Sequence, residues 1–182
     1  MQKNLLRVFI IMGLIGGITM ALAVVAGKYL RPMEGIIPVA ESEVLPALTL
    51  KNMSDEDVEL LKAHPGKTLL VNYWATWCPP CISEIPSLMR IKAERQSDTF
   101  DLVFISLDFP KDAKELKTLM GRSNLKGIDT LYMTDARQWS SLGGRGLPIT
   151  VLVSPEGKII SRMVGAMDWS GPAGTDFLKN VP

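Results

Sequence analysis

Cys78 and Cys81 are the residues of this chain best suited to chemistry, and they are its only cysteines. Two residues separate them, so they cannot cross-link distant parts of the chain but can bridge to each other. Thiol–disulfide exchange needs one thiolate that attacks a partner and a second thiol that resolves the mixed disulfide. The spacing supplies both thiols, and it leaves a pair that is redox-active, metal-binding or incidental.

The rest of the composition favours redox chemistry over a metal site. Zinc needs about four ligands, and the only histidine, His64, precedes a Pro-Gly pair and is predicted to be a solvated loop residue, not a catalytic base. Ten methionines could offer soft ligands to Cu(I), but they are scattered and are predicted to serve packing. We therefore predict neither a bound metal nor another cofactor.

The residues around the cysteines predict that the pair lies at the start of a helix. An apolar, β-rich run at residues 68–73 precedes it, and residues 79–96 repeat apolar side chains at helical spacing. The two prolines between the cysteines fit a first helical turn, where a missing N–H costs little. At the N-cap, Cys78 would be stabilised as a thiolate by the helix dipole and by the N–H groups of Cys81 and Ile82. Cys78 is thus the predicted nucleophile and Cys81 the resolving thiol.

Beyond this unit the pattern indicates an α/β fold, a mixed central sheet flanked by helices. The next strand should complete a right-handed βαβ crossover and run parallel to the strand before the cysteines. A Ser-Pro-Glu-Gly turn between two later strands predicts an antiparallel hairpin. The expected elements are a strand at 101–107, a helix at 111–122, strands at 149–153 and 158–164, and a final helix at 172–179.

The N-terminus predicts a membrane anchor. Residues 8–27 form an uncharged segment that is long enough for one transmembrane helix. A cleaved signal sequence is the alternative. We predict an anchor at 1–27, a Pro- and Gly-punctuated tether at 28–43 and a globular domain at 44–182. The short leading segment favours export of that domain, to a compartment where disulfides persist.

Overall charge gives no indication of a nucleic-acid partner. The chain has 20 basic and 19 acidic residues, a net charge of +1. Nucleic-acid binding usually requires a concentrated basic surface. Partners must therefore be inferred from the cysteine site.

Four sequence segments closely resemble the thioredoxin superfamily and, within it, the membrane-anchored TlpA-like thiol-disulfide oxidoreductases, which are related to the cytochrome c maturation thioredoxins. They are LVNYWATWCPPC at residues 70–81, SEIP at 83–86, GLPIT at 146–150 and DW at 168–169. The resemblance spans about residues 45–178. It implies a thioredoxin-like fold with a redox-active disulfide between Cys78 and Cys81.

The resemblance also implies roles for residues outside the cysteine pair. Pro148 would be the cis-proline facing the disulfide, with the backbone of Leu147 free to pair with an extended substrate. Trp77 would shield the site and offer an apolar docking surface. Asn72 stands where thioredoxin has a buried aspartate, so Glu84 becomes the expected acid that tunes the cysteines and assists proton transfer.

The function implied by the resemblance is the reduction of particular extracytoplasmic client proteins. Apocytochrome c cysteines and copper-site assembly cysteines are the two client classes, and a membrane electron donor would re-reduce the pair. The domain would sit on the periplasmic side of the inner membrane. A Cu(I)-handling binding module using the same cysteines, and a disulfide oxidant or isomerase, remain the alternatives.

Overall fold

The computed structural model describes residues 35–37, 39, 43–123, 125, 127–142, 146–179 and 181. The predicted anchor lies outside these residues, as does most of the predicted tether. Within the described part of the chain, no helix is long and apolar enough to cross a bilayer. The anchor therefore stays a prediction.

The described residues form one mixed sheet with helices packed on it. The strands are β1 Gly35–Ile37, β2 Leu50–Lys51, β3 Asp57–Val58, β4 Thr68–Trp74, β5 Phe100–Ser106, β6 Thr130–Met133, β7 Ile149–Val153 and β8 Ile159–Val164. The helices are α1 Leu60–Ala63, α2 Pro79–Arg95, α3 Ala113–Arg122, α4 Arg137–Ser141 and α5 Pro172–Phe177. Along the sheet the strands follow the order β1-β8-β7-β4-β5-β6-β2-β3.

Strand β4 is at the centre of this sheet and positions the cysteine motif. It pairs in parallel with β5 and antiparallel with β7, and each of its seven residues is buried. Its Leu70 and Trp74 belong to the core cluster that contains both cysteines, whereas Leu69, Val71 and Tyr73 belong to the cluster on the opposite face. Burial on both faces accounts for the continuous apolar run in this strand.

Most of the predicted elements are confirmed within a few residues. The β4-α2-β5 unit is a parallel crossover, and β7 and β8 form the expected antiparallel hairpin. The sequence did not predict β1, β2, β3 or β6. Residues 35–37, which fall in the predicted tether, pair with β8 as an edge strand.

His64 lies in the loop after α1, as predicted, but the prediction that its side chain is solvated is wrong. It follows α1, its side chain is 21% exposed, and its Nδ1 lies 3.3 Å from Oδ2 of Asp101. Asp101 is buried and also pairs with Nζ of Lys92 at 3.1 Å. Burial lowers the pKa of His64, and it outweighs the opposing effect of the Asp101 carboxylate, which favours the charged form.

We expect His64 to make folding stability depend on pH. Its pKa is lower in the folded protein than in the unfolded chain, so the unfolded chain binds the proton more tightly and acidification below about pH 6.5 destabilises the fold. Urea denaturation between about pH 7.5 and about pH 5.5 should therefore show a steeper stability loss for the wild type than for His64→Gln. Parallel pH dependence in the two proteins would contradict this assignment.

Candidate redox-active site

The two cysteines form a disulfide at the start of α2. Cys78 is the N-cap residue of the helix and Cys81 lies in its first turn, with 5.3 Å between their Cα atoms. Cys78 is 4% exposed, and Cys81 is completely buried. The sulfur closer to the surface thus belongs to the predicted nucleophile.

One of the two expected backbone donors contacts the Cys78 sulfur. The amide of Cys81 donates to Sγ of Cys78 at 3.3 Å. The amide of Ile82 donates instead to the carbonyl oxygen of Cys78 at 3.1 Å, as the first bond of the helix. In the disulfide form the helical ladder uses the Ile82 N–H group, and its predicted contact with the Cys78 thiolate stays a prediction.

A carboxylate at the end of β5 fixes the loop that leads into the motif. Asp108 accepts hydrogen bonds from the backbone amide and the hydroxyl of Thr76, the latter at 2.6 Å. It also accepts one from the hydroxyl of Ser106 at 2.8 Å. Asp108 therefore holds the segment immediately before Trp77 and Cys78 to the neighbouring strand.

The expected substrate-contacting residues differ in exposure. Trp77 is 65% exposed, which suits a docking surface for another chain. Leu147 is half-buried and packs against the core cluster that contains the cysteines. Pro148 is buried, and the Leu147–Pro148 peptide bond is cis, as the resemblance implied. The roles of these three residues in substrate binding stay predictions.

Glu84 is buried one turn after Cys81 and accepts three N–H hydrogen bonds. Its Oε1 accepts from Nδ2 of Asn72 at 2.8 Å. Its Oε2 accepts from the indole Nε1 of Trp169 at 3.1 Å and from the amide of Met167 at 3.2 Å. The side chain is 3% exposed, so the carboxylate relies on these donors instead of on bulk water.

Burial raises the pKa of Glu84, and the hydrogen bonds from Trp169, Asn72 and Met167 oppose that rise. A carboxyl group with a raised pKa takes a proton more readily near neutral pH than an exposed one. Glu84 therefore has the electrostatics of a proton acceptor.

Asn72 occupies the centre of β4 and links Glu84 to the sheet. Its Nδ2 donates to both Glu84 and Oγ1 of Thr150, whereas its Oδ1 is buried without a hydrogen-bond partner. A neutral amide at this position can donate to Glu84, whereas an aspartate would repel it. Asn72, in place of the buried aspartate of thioredoxin, is thus compatible with an ionised Glu84.

A groove of about 520 Å³ opens over Glu84. One wall is α2, including Ser87 and Arg90, and the other is the segment after β8, including Met167 and Asp168. Glu84 lines this groove although little of its side chain is exposed. The groove therefore lies beside the turn of α2 that carries Glu84.

The cysteine site belongs to a known enzyme class. The sequence profile of the Redoxin family matches residues 40–176, which is most of the chain. The chain belongs to the Redoxin family. The thiol:disulfide interchange protein DsbE of Allochromatium vinosum is 30% identical over 155 residues, with 84% of this chain and 82% of that protein covered. The thiol-disulfide oxidoreductase ResA of Bacillus subtilis is 27% identical over 151 residues, covering 83% and 78%.

Solved structures agree with this Redoxin assignment. A thiol-disulfide oxidoreductase from Bacteroides fragilis superposes with a TM-score of 0.60 at 27% identity, covering 75% of this chain and 98% of that one. The thioredoxin-like fold is therefore confirmed, and so is the resemblance to the thioredoxins of cytochrome c maturation. As a Redoxin of the ResA and DsbE type, the chain is a thiol-disulfide oxidoreductase.

Three contributors to the site were missed by the sequence predictions: Thr150, Asp108 and the indole of Trp169. Asp108 and Thr76 follow parallel neighbouring strands, whose carboxyl ends meet at one edge of the sheet. That rule could have predicted their contact. No comparable rule leads from Trp169 to Glu84, which is 85 residues away.

Proposed function

We propose that this oxidoreductase works as a reductase of particular extracytoplasmic proteins, using Cys78 and Cys81 as its dithiol. The main support is the placement of the cysteine pair at the start of α2, with the buried Glu84 one turn beyond it. Relatives named as thiol-disulfide oxidoreductases and interchange proteins also support protein substrates that carry cysteines.

In the proposed reaction the Cys78 thiolate attacks a client disulfide. A bond forms between the Cys78 sulfur and one client sulfur, and the other client sulfur leaves as a thiolate that takes a proton. Glu84 then accepts the proton of the Cys81 thiol, and the resulting thiolate attacks the Cys78 sulfur. The bond between Cys78 and the client breaks, and the second client sulfur leaves as a thiolate that takes up the proton held by Glu84. The client is then a dithiol, two electrons have passed to it, and the enzyme holds the Cys78–Cys81 disulfide.

The proposed setting follows from the sequence. We propose that residues 8–27 anchor the chain in the inner membrane with the catalytic domain on the periplasmic side. A membrane electron donor would re-reduce the disulfide. Apocytochrome c and copper-site assembly proteins are the two proposed client classes.

We expect a reduction potential in the thioredoxin-like range of about −270 mV, measured by equilibration of Cys78 and Cys81 with glutathione or dithiothreitol buffers. Such a potential lets the dithiol donate electrons to a client disulfide. Insulin reduction by the wild type, absent from the Cys78→Ser variant, is the matching activity measurement. A potential near the −120 mV or so of a strong oxidant would overturn the reductase direction.

The Cu(I)-handling alternative predicts different results for the wild type and the cysteine variants. Two thiolates can bind Cu(I), which prefers soft ligands. An anaerobic Cu(I) titration that shows tight stoichiometric binding, together with no insulin reduction, would favour the binding module. Disulfide reduction that needs both cysteines would reject it.

A further inference from the structure

The segment after β8 reaches α2 through Trp169. This tryptophan is completely buried, and its ring packs edge-to-face on Phe177 of α5 with 5.4 Å between ring centroids. Its backbone amide donates to Oγ of Ser87 at 3.3 Å, and the Ser87 hydroxyl donates to the carbonyl oxygen of Glu84 at 2.8 Å. The backbone amide and the indole of Trp169 are thus both hydrogen-bonded to the turn of α2 that contains Glu84 and Ser87.

Gly174 supports this placement from the other side. A Cβ atom added at Gly174 would lie 2.4 Å from the carbonyl oxygen of Trp169 and 2.5 Å from its Cα atom. Because the obstructing atoms are backbone, only glycine allows α5 to pack directly on Trp169. The position of the indole is therefore set by backbone packing as well as by its own hydrogen bonds.

The three N–H donors divide unequally between the two oxygens of Glu84. Trp169 and Met167 both donate to Oε2, whereas Asn72 alone donates to Oε1. A carboxylate oxygen has two lone pairs that can accept hydrogen bonds. Both lone pairs of Oε2 therefore accept hydrogen bonds, whereas Oε1 has one lone pair left to accept a proton.

We propose that Trp169 is a positioning residue of the redox site, whose indole N–H fixes Oε2 of Glu84 and leaves Oε1 to take the proton of Cys81. The inference rests on the proton-acceptor role proposed for Glu84. The proton passes from the Cys81 sulfur to Oε1, the thiolate so formed attacks the Cys78 sulfur, and the client sulfur leaves. Trp169 itself touches neither sulfur in this account, and it acts by holding the acceptor.

The indole also stabilises the ionised form of the acceptor. A hydrogen bond to a buried carboxylate favours its charged state and lowers the pKa against the rise caused by burial. Among the effects that lower the pKa of Glu84, the bond from Trp169 is the largest. Without the indole N–H, Oε2 would keep only the Met167 amide, and Glu84 would become a poorer acid.

The test is a ¹³C NMR titration of the Glu84 carboxyl carbon in the oxidised protein, where neither cysteine titrates. Trp169→Phe keeps an aromatic ring but removes the donor, and the Glu84 midpoint should move up by about one pH unit. Ser87→Ala removes the hydrogen bond to the Trp169 backbone amide, and it should raise the Glu84 midpoint by a smaller amount. Trp139→Phe, the same substitution on the opposite face of the sheet, should leave the midpoint at its wild-type value.

A packing control separates the donor from the bulk of the ring. Phe177→Leu removes the edge-to-face contact without removing the indole N–H, and its Glu84 midpoint should match the wild type. In the reduced protein, the pH profile of mixed-disulfide resolution should shift upward in Trp169→Phe and stay at its wild-type position in Phe177→Leu. The Trp169→Tyr variant, which can offer a hydroxyl donor, should recover part of the shift.

Two results would overturn the inference. One is an unchanged Glu84 midpoint in folded Trp169→Phe and Ser87→Ala. The other is an equal shift in Phe177→Leu, which would mean that packing, and not the N–H group, controls the carboxyl. Failure of the reductase proposal is a separate result, because it would appear in the reduction potential and not in a titration of the oxidised protein.

Discussion

Replacing Cys81 with serine is expected to leave client proteins covalently attached to Cys78. The buried Cys81 thiol is the group that resolves the mixed disulfide, and serine cannot attack sulfur to complete exchange. Turnover should fall by at least about 10³-fold, since cysteines acting as a unit do not substitute for each other. The attached proteins can be recovered from the native host under non-reducing conditions and identified by mass spectrometry.

The Cys78→Ser variant is the matched control. It should lose turnover to the same degree but capture no client, because the N-cap sulfur that makes the first attack is gone. Recovery of cytochrome c precursors or of copper-site assembly proteins would separate the two client classes. Equal capture by both single variants would contradict the assignment of Cys78 as the nucleophile.

Replacing Glu84 with glutamine should slow resolution of the mixed disulfide by about 10²-fold. Glutamine fills the same buried volume but cannot take the Cys81 proton, so the thiolate that attacks Cys78 would form only by loss of its proton to water. The raised pKa of Glu84 should give the wild type an acid limb in its pH–rate profile, with activity falling as Glu84 becomes protonated. The variant should lose that limb.

Stopped-flow fluorescence of the reduced enzyme with a disulfide-containing peptide would measure the rate across the pH range. Glu94→Gln offers a matched control, since Glu94 is an exposed carboxylate on the same helix. Its rate and pH profile should equal those of the wild type. A Glu84→Gln variant with a wild-type profile would assign the acid limb to another group and remove Glu84 from the mechanism.

The elements with strong local signals were predictable. Strand β4 is a mainly apolar run buried on both faces, and α2 begins at two prolines, which the first helical turn accommodates without losing a hydrogen bond. Their order along the chain places Cys78 at the N-cap. The placement of the cysteine pair at the start of α2 could therefore be derived before any coordinates, whereas the disulfide between the two cysteines was implied by the family resemblance.

Elements defined by their partners were not predictable. Strands β1, β2 and β3 have only two or three residues each. They are defined by their partners, because β1 pairs with β8, β2 with β6, and β3 with β2. Periodicity needs a longer segment to distinguish a strand from a loop. Likewise, His64 contacts Asp101, which lies far along the chain, so the sequence around His64 gives no indication of this contact.

The site itself was predicted only as far as its segments could be aligned with a family. The family resemblance implied Glu84 as the acid near the cysteines, and the structure adds its burial and its donors. Trp169 was noted only as part of a resembling dipeptide. Its indole reaches Glu84 because α5 packs on it at Gly174, and such a tertiary contact leaves no pattern in the sequence.

The bonds of Asp108 affect how far the motif can be treated as a portable module. Thr76 is bound through its amide and its hydroxyl to a carboxylate 32 residues away, and its carbonyl oxygen accepts from Ser123. A chimera that received only residues 75–81 would inherit the two cysteines and the prolines without the restraints on their approach. The transferable unit is therefore discontinuous, and an engineered graft would have to carry Ser106, Asp108 and Ser123 along with the cysteines.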